Sequence, residues 1–383
     1  MTARGGVVVV AGLLLGIAAP PAPAALAAEC AAAQEQVVAE ESWAQRRLAP
    51  SRTWALTEGA VPVAVVDTGI SAVAPALADA VLPTPDLGGG PSDVDCSGHG
   101  TFLAGLIAAR PRDDGPFAGV APAARLLPVR VTDNPAEVDP VRLGAGIRAA
   151  VDAGARVVAV GLVTALDRPE LRAAVAAAAE GDVVVVASAA VREAGTRAYP
   201  AALPGVVAVA PLGVAGPPSN TPLGADPVLA APAEDVVGIA PSGAGHRRAS
   251  APELAVAYVA GAAALVRDRH PELRAPDVVA RLLATADRPA GPSPHPRVGY
   301  GVVDPVAAVT TVLAPTGPVR ELVADRLDVP RPPEPDGAPA RRALWFAAVV
   351  LGAALVLGGG TGLVVLGQRR GRGSPTPRPG DAR

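Results

Sequence analysis

The 383-residue sequence contains no lysine; all 33 of its basic residues are arginine. Aromatic residues are nearly as scarce, with three each of Trp, Tyr and Phe. A core must therefore be assembled from Ala, Val and Leu. Half of all residues are hydrophobic, which excludes disorder over the whole chain. The 33 basic residues stand against 36 acidic ones, a net charge of −3, and no basic stripe is interleaved with aromatics. Nucleic acid is thereby excluded as a partner. Two cysteines and four histidines cannot build a Cys/His metal cluster of the usual spacing, and no metal or cofactor is expected. Arg without Lys, beside abundant Ala, Gly, Pro and Val, reflects the codon bias of a GC-rich genome and says nothing of function. The length allows one large domain or two of ordinary size.

The ends of the chain read as targeting and anchoring segments. Arg4 precedes the apolar run Val7–Ala19, and Ala25-Leu26-Ala27 resembles a cleavage signal. Residues 1–28 thus form a secretory signal pattern, too short to span a bilayer; the alternative is a buried N-terminal helix. Near the other end, residues 343–367 carry no charge and one polar side chain, Thr361. At about 1.5 Å per residue, such a helix crosses a ~30 Å hydrocarbon core. Arginines flank it on both sides, so the signal peptide decides the topology: main domain outside the cell membrane, tail 368–383 in the cytoplasm. The Pro-rich stretch 314–342, with Pro330-Arg331-Pro332-Pro333-Glu334-Pro335, is expected to be a semi-rigid linker. The segment 29–60 is left as an N-terminal extension, and 61–313 as the main domain.

Within that domain, Val-rich runs at Val61–Val66, Leu126–Val131, Val157–Val160, Val183–Ala187 and Val206–Ala210 alternate with Ala-rich helical stretches. Those stretches include Thr101–Ala109, Pro140–Ala153 and Arg168–Glu180. Continuous apolar strands between helices predict a mostly parallel sheet covered on both faces, a doubly wound α/β fold. Asp67 then stands at the C-terminal end of the first strand, where open α/β sheets place their sites. His99 opens an apolar helix. An Asp that orients a His is the base half of a hydrolytic triad.

Asp67-Thr-Gly and His99-Gly-Thr-Phe-Leu-Ala-Gly105, in that order, resemble the signatures of the subtilisin-like serine proteases. Over nearly the whole chain the resemblance narrows to the mycosins, the membrane-anchored subtilases of type VII secretion systems. Signal segment, protease-like domain, Pro-rich linker and C-terminal helix come in the same order. Gly119–Arg130, Tyr199-Pro200-Ala201 and Val298–Pro305 resemble further mycosin blocks. The resemblance implies a disulfide between Cys30 and Cys96, tying the extension to the loop before His99; two free thiols are the alternative. It also implies a type VII secretion membrane complex as partner, and peptide segments of secreted proteins as ligands.

The third member of the triad departs from the pattern. Subtilases carry Gly-Thr-Ser-x-Ala-x-Pro before a Val-Ala-Gly helix. Counting back without a gap from Tyr258-Val-Ala-Gly261 places Glu253 at the serine. Ser250 is three residues too early. It reads either as the cap of a Ser250–Glu253 capping box or as a displaced nucleophile. At the Asn that stabilises the oxyanion stands Val191, preceded by Ala190 in place of Gly. In the substrate-edge block Val-Ile-Asn-x-Ser-Leu-Gly, Val163 replaces the closing Gly. Three departures at three catalytic elements, on an intact framework, predict a mycosin-like component with lost or severely impaired peptidase activity. The other readings are an active serine endopeptidase with an unconventional nucleophile, and a surface binding protein with no secretion partner. Asp67, His99 and Glu253 are expected in one row, with Glu253 in the first turn of a helix Glu253–Arg267.

Overall fold

The computed structural model describes residues 30–84, 90–113, 115–215, 221–313 and 341–355, besides isolated positions 2 and 6. The chain divides into two units, Met1–Leu313 and Ala314–Arg383. In the second, residues 341–355 are helical and exposed. Among the described residues, no helix is long and apolar enough to cross a membrane. The remainder of the expected span 343–367, most of the signal segment and the linker residues 314–340 lie outside the described residues.

The first unit is built on a six-stranded parallel sheet. In chain order its strands are β1 (Pro62–Asp67), β2 (Arg125–Arg130), β3 (Val157–Val160), β4 (Val184–Ser188), β5 (Val206–Leu212) and β6 (Leu229–Pro232). In space they run β2-β1-β3-β4-β5-β6. The five Val-rich runs are thus the first five strands, shifted at their ends by one or two residues. Successive side chains point to opposite faces. Val63, Val65, Val157 and Ala159 enter one core, while Ala64, Val66, Val158 and Val160 enter the other. Because both faces are covered, every strand position can be apolar.

Helices α1 (Trp43–Leu48), α2 (His99–Ala108), α3 (Pro140–Asp152) and α4 (Pro169–Glu180) are followed by α5 (Ala255–Arg269), α6 (Ala275–Thr285) and α7 (Pro305–Thr310). On one face α3 and α4 insert Leu143, Ile147 and Leu171. On the other, α2 and α5 cover the sheet. Every residue of α5 from Ala255 to Arg267 is buried. Helix α5 is Ala-rich all round, which suits a helix with no solvent face and lets it lie close to the strands. A hairpin of β7 (Val236–Ile239) and β8 (His246–Ala249) completes this layer.

The extension is tied down along its length. Cys30 and Cys96 form a disulfide, with Cα atoms 4.4 Å apart. The backbone N–H of Gln34 donates to Ser242 O at 3.0 Å, and those of Gly245 and His246 donate to Gln34 O and Gln36 O at 2.7 and 2.8 Å. The extension thereby adds itself as a short edge beside the β7–β8 turn. The disulfide joins residues 66 apart in sequence; constraining a loop of that length contributes about 4 kcal/mol in chain-entropy models. Paired Cys30→Ser and Cys96→Ser replacement should lower unfolding free energy by roughly that amount in denaturant titration. A midpoint unchanged from wild type would show that the bond adds no constraint.

Candidate functional site

Strand β1 ends at Asp67, and the chain turns sharply away. The Thr68 backbone N–H donates to Asp67 Oδ1 at 2.7 Å. Asp67 is fully buried. His99 is the first residue of α2, entered through Gly98, whose φ of 73° is left-handed and suits a residue without Cβ. The His99 ring presents Nδ1 to Asp67 Oδ1 at 2.7 Å.

A second buried acid, Asp95, holds this corner. Its Oδ1 accepts from Thr68 Oγ1 at 2.9 Å and from the Gly98 N–H at 2.8 Å. Its Oδ2 accepts from the Thr101 N–H at 2.8 Å and Thr101 Oγ1 at 2.7 Å. Burial pushes the Asp95 pKa up against these bonds. Asp95 escapes sequence reading, because an Asp in a loop before a Cys carries no signal of where its bonds go.

Glu253 lies in a 3₁₀ turn, Pro252–Leu254, that leads directly into α5. Its Oε1 is 3.1 Å from His99 Nε2. Asp67, His99 and Glu253 therefore stand in one row, as the gapless count from Tyr258 placed them, although α5 begins two residues later than expected. Both ring nitrogens face carboxyl oxygens. Burial by itself favours the neutral ring, but the charge and hydrogen bond of Asp67, joined by those of Glu253, outweigh it and push His99 up to about 10.

The capping-box reading of Ser250 is overturned. The cap of the turn is Ala251, which makes no side-chain cap bond. Ser250 Oγ instead accepts from the Asp235 N–H at 2.9 Å, and Glu253 has turned to His99. A capping box does occur in the chain, at Ser42 and Gln45 of α1. The geometry gives no base to Ser250 as a displaced nucleophile, since His99 Nε2 is occupied by Glu253.

A cleft of about 660 Å³ opens beside Glu253. Gly161, Val163, Ser188, Val191, Ser250 and Glu253 line it, so the structure brings together all three departures seen in sequence. Val191 offers no side-chain donor there. Val163 places an isopropyl group on the wall that continues β3.

The subtilase family model matches residues 58–301. Mycosin-3 of Mycobacterium tuberculosis is 33% identical over 364 residues, spanning 75% of this chain and 76% of that protein. The structure of the serine protease MycP1, an essential component of the type VII (ESX-1) secretion system, superposes with a TM-score of 0.65 at 30% identity, covering 74% of this chain and 92% of that one. A chain of the intact ESX-5 inner membrane complex superposes at 0.64 and 28% identity, covering 88% and 95%.

The raised proton affinity of His99 makes stability depend on pH. Its folded value of about 10 lies above the ordinary 6.5. The stabilisation is thus fully present below pH 6.5 and is lost as pH rises through about 10. At about 1.4 kcal/mol per unit, the gap is worth several kcal/mol. With no lysine in the chain, few other groups titrate in that window. Denaturation midpoints measured from pH 6 to 10.5 should fall in the wild type and fall much less in His99→Gln. Parallel curves for the two proteins would show that His99 is not held protonated.

Proposed function

Because this chain belongs to the subtilase family, and within it to the mycosins, we propose that it serves as a membrane-anchored component of a type VII secretion membrane complex and does not act as a peptidase. The observation that carries the loss of activity is the 3.1 Å contact of Glu253 with His99 Nε2. Acyl-enzyme chemistry needs a nucleophile that gives its proton to a neutral imidazole. Here the group facing the ring is a carboxyl, and the ring already holds both protons at neutral pH. Val191, which stands where subtilases carry the oxyanion-stabilising Asn, lines the same cleft and offers no side-chain donor. Loss of one oxyanion donor alone costs roughly 100- to 1,000-fold in turnover.

What remains is a cleft beside a strand. The wall Gly161–Val163 continues β3 and can take a peptide segment by strand addition, with Val163 narrowing the approach. The ligand suited to this wall is an extended segment of a secreted protein. The likeness to chains of MycP1 and of the ESX-5 inner membrane complex supports the secretion-complex setting. The domain limits proposed are those of the sequence: signal segment 1–28, extension 29–60, main domain 61–313, linker 314–342, membrane helix 343–367 and cytoplasmic tail 368–383. The charge-free composition of 343–367 and the helical state of 341–355 support the anchor. With the signal segment 1–28 deciding the topology, the cleft faces the outer side of the cell membrane in this reading.

The activity is tested with protein purified free of other proteases. A fluorophosphonate probe should label neither the wild type nor Ser250→Ala. Glu253→Ser alone should remain below about 1% of a competent subtilase, because Val191 still withholds the oxyanion donor. Glu253→Ser with Val191→Asn and Val163→Gly is the fairer restoration. Peptide cleavage that survives Glu253→Ala but disappears in His99→Ala would establish another nucleophile and overturn the inactive reading. The setting is tested separately: the detergent-solubilised chain should co-purify with membrane components of the secretion complex. Recovery of the chain alone from mild detergent would instead favour a free-standing surface protein.

A further inference from the structure

Asp67 Oδ2 is buried and has no hydrogen-bond partner among the described residues. Its sister Oδ1 carries both recorded contacts, from the Thr68 N–H and from His99 Nδ1. The carboxyl is therefore used on one side only. The reason lies across the strand pair. Val66 of β1 is in register with Val160 of β3, so the next residues, Asp67 and Gly161, face each other. A Cβ built on Gly161 would stand 2.1 Å from Asp67 Oδ2 and 2.7 Å from Leu103 Cδ2. Oδ2 fills the space that a side chain at 161 would need. In the aligned block Val-Ile-Asn-x-Ser-Leu-Gly, the residue at this position is Ser, which would both contest that space and bring an O–H donor to it.

We propose that Gly161 is a positioning residue for the Asp67–His99–Glu253 row: lacking a side chain, it seats Asp67 Oδ2 where no donor shares its charge, so that the carboxyl is shared only between His99 and the Thr68 N–H, both on Oδ1. A buried carboxyl that accepts fewer hydrogen bonds keeps more of its charge for its remaining partner. Gly161 and Glu253 then work together on the ring from opposite sides, one by freeing the Asp67 charge and the other by adding a second carboxyl. The inference rests on the geometry of the row and not on the absence of peptidase activity. It also means that replacing Glu253, Val191 and Val163 leaves one determinant of the imidazolium in place.

The test is an imidazole NMR titration of the full chain in detergent, with the His99 signal assigned by its disappearance in His99→Gln. Gly161→Ser should lower the His99 pKa by about one unit, a tenfold loss of proton affinity. A His99 titration superimposable on the wild type would overturn the proposal. A stability cycle covers the case in which Gly161→Ser does not fold. Gly161→Ala should destabilise the wild type but be tolerated in an Asp67→Ala background, where the contested space is empty. Equal destabilisation in both backgrounds would place the steric constraint on Leu103 or elsewhere and not on Asp67. Neither arm measures peptide cleavage, so either can fail while the inactive reading stands, and the reverse.

Discussion

A single imidazole held between two carboxyl groups is the interaction on which the site depends. His99 meets Asp67 at 2.7 Å and Glu253 at 3.1 Å, with only 15% of its side chain exposed. Burial of an ionised ring is unfavourable until both nitrogens have partners of opposite charge. The partners come from distant parts of the chain: the end of β1, the start of α2 and the turn before α5. They converge because a parallel sheet gathers its strand ends on one edge. Where a serine protease has its base facing a hydroxyl nucleophile, this row has the ring facing a carboxyl at each end.

The scaffold that holds the row is packed from small side chains. With nine aromatic residues in the chain, volume must be filled by bringing backbones together. Helix α5 does so most fully, buried throughout its first 13 residues against β3 to β6. Close-packed interiors transmit small changes of volume. This is why positions such as Gly161, which touches the carboxyl of Asp67, matter to a site they do not join by hydrogen bonds.

The extension and the hairpin support the row from the side. The disulfide fixes Ala31 near Gly98, and the Ala31 N–H donates to Cys96 O at 2.8 Å. Arg247 of β8 donates to Gly98 O at 3.2 Å and lies over the Phe102 ring, 4.8 Å from its centroid. Its burial lowers its pKa, an effect the nearby Asp95 opposes. Val38 N–H donates to His246 Nδ1 at 3.1 Å on the same hairpin. Extension, hairpin and the first turn of α2 are thus one connected set of contacts around His99.

Much of this was determined by sequence alone. Continuous Val runs of four to six residues between helical stretches specify strands buried on both faces, because β-branched side chains suit a pleated strand and the runs are too short for a buried helix, and the first five strands fall where those runs lie. Asp67 after a strand and His99 before a helix are legible because their spacing repeats a known signature, and Glu253 because a helix allows counting without gaps. Strand β6, the β7–β8 hairpin, α6 and α7 were not legible: all but α6 are short, and each packs on partners that lie far away in sequence. The four-residue pattern at Ser250 misled, because a local capping rule assumes that both side chains are free to cap. Tertiary structure had already engaged Glu253 with His99 and Ser250 with Asp235. Likewise the four bonds of Asp95 and the orphaned oxygen of Asp67 against Gly161 were decided only in three dimensions: hydrogen bonds and steric contacts between strands depend on register, and register is a property of the folded sheet.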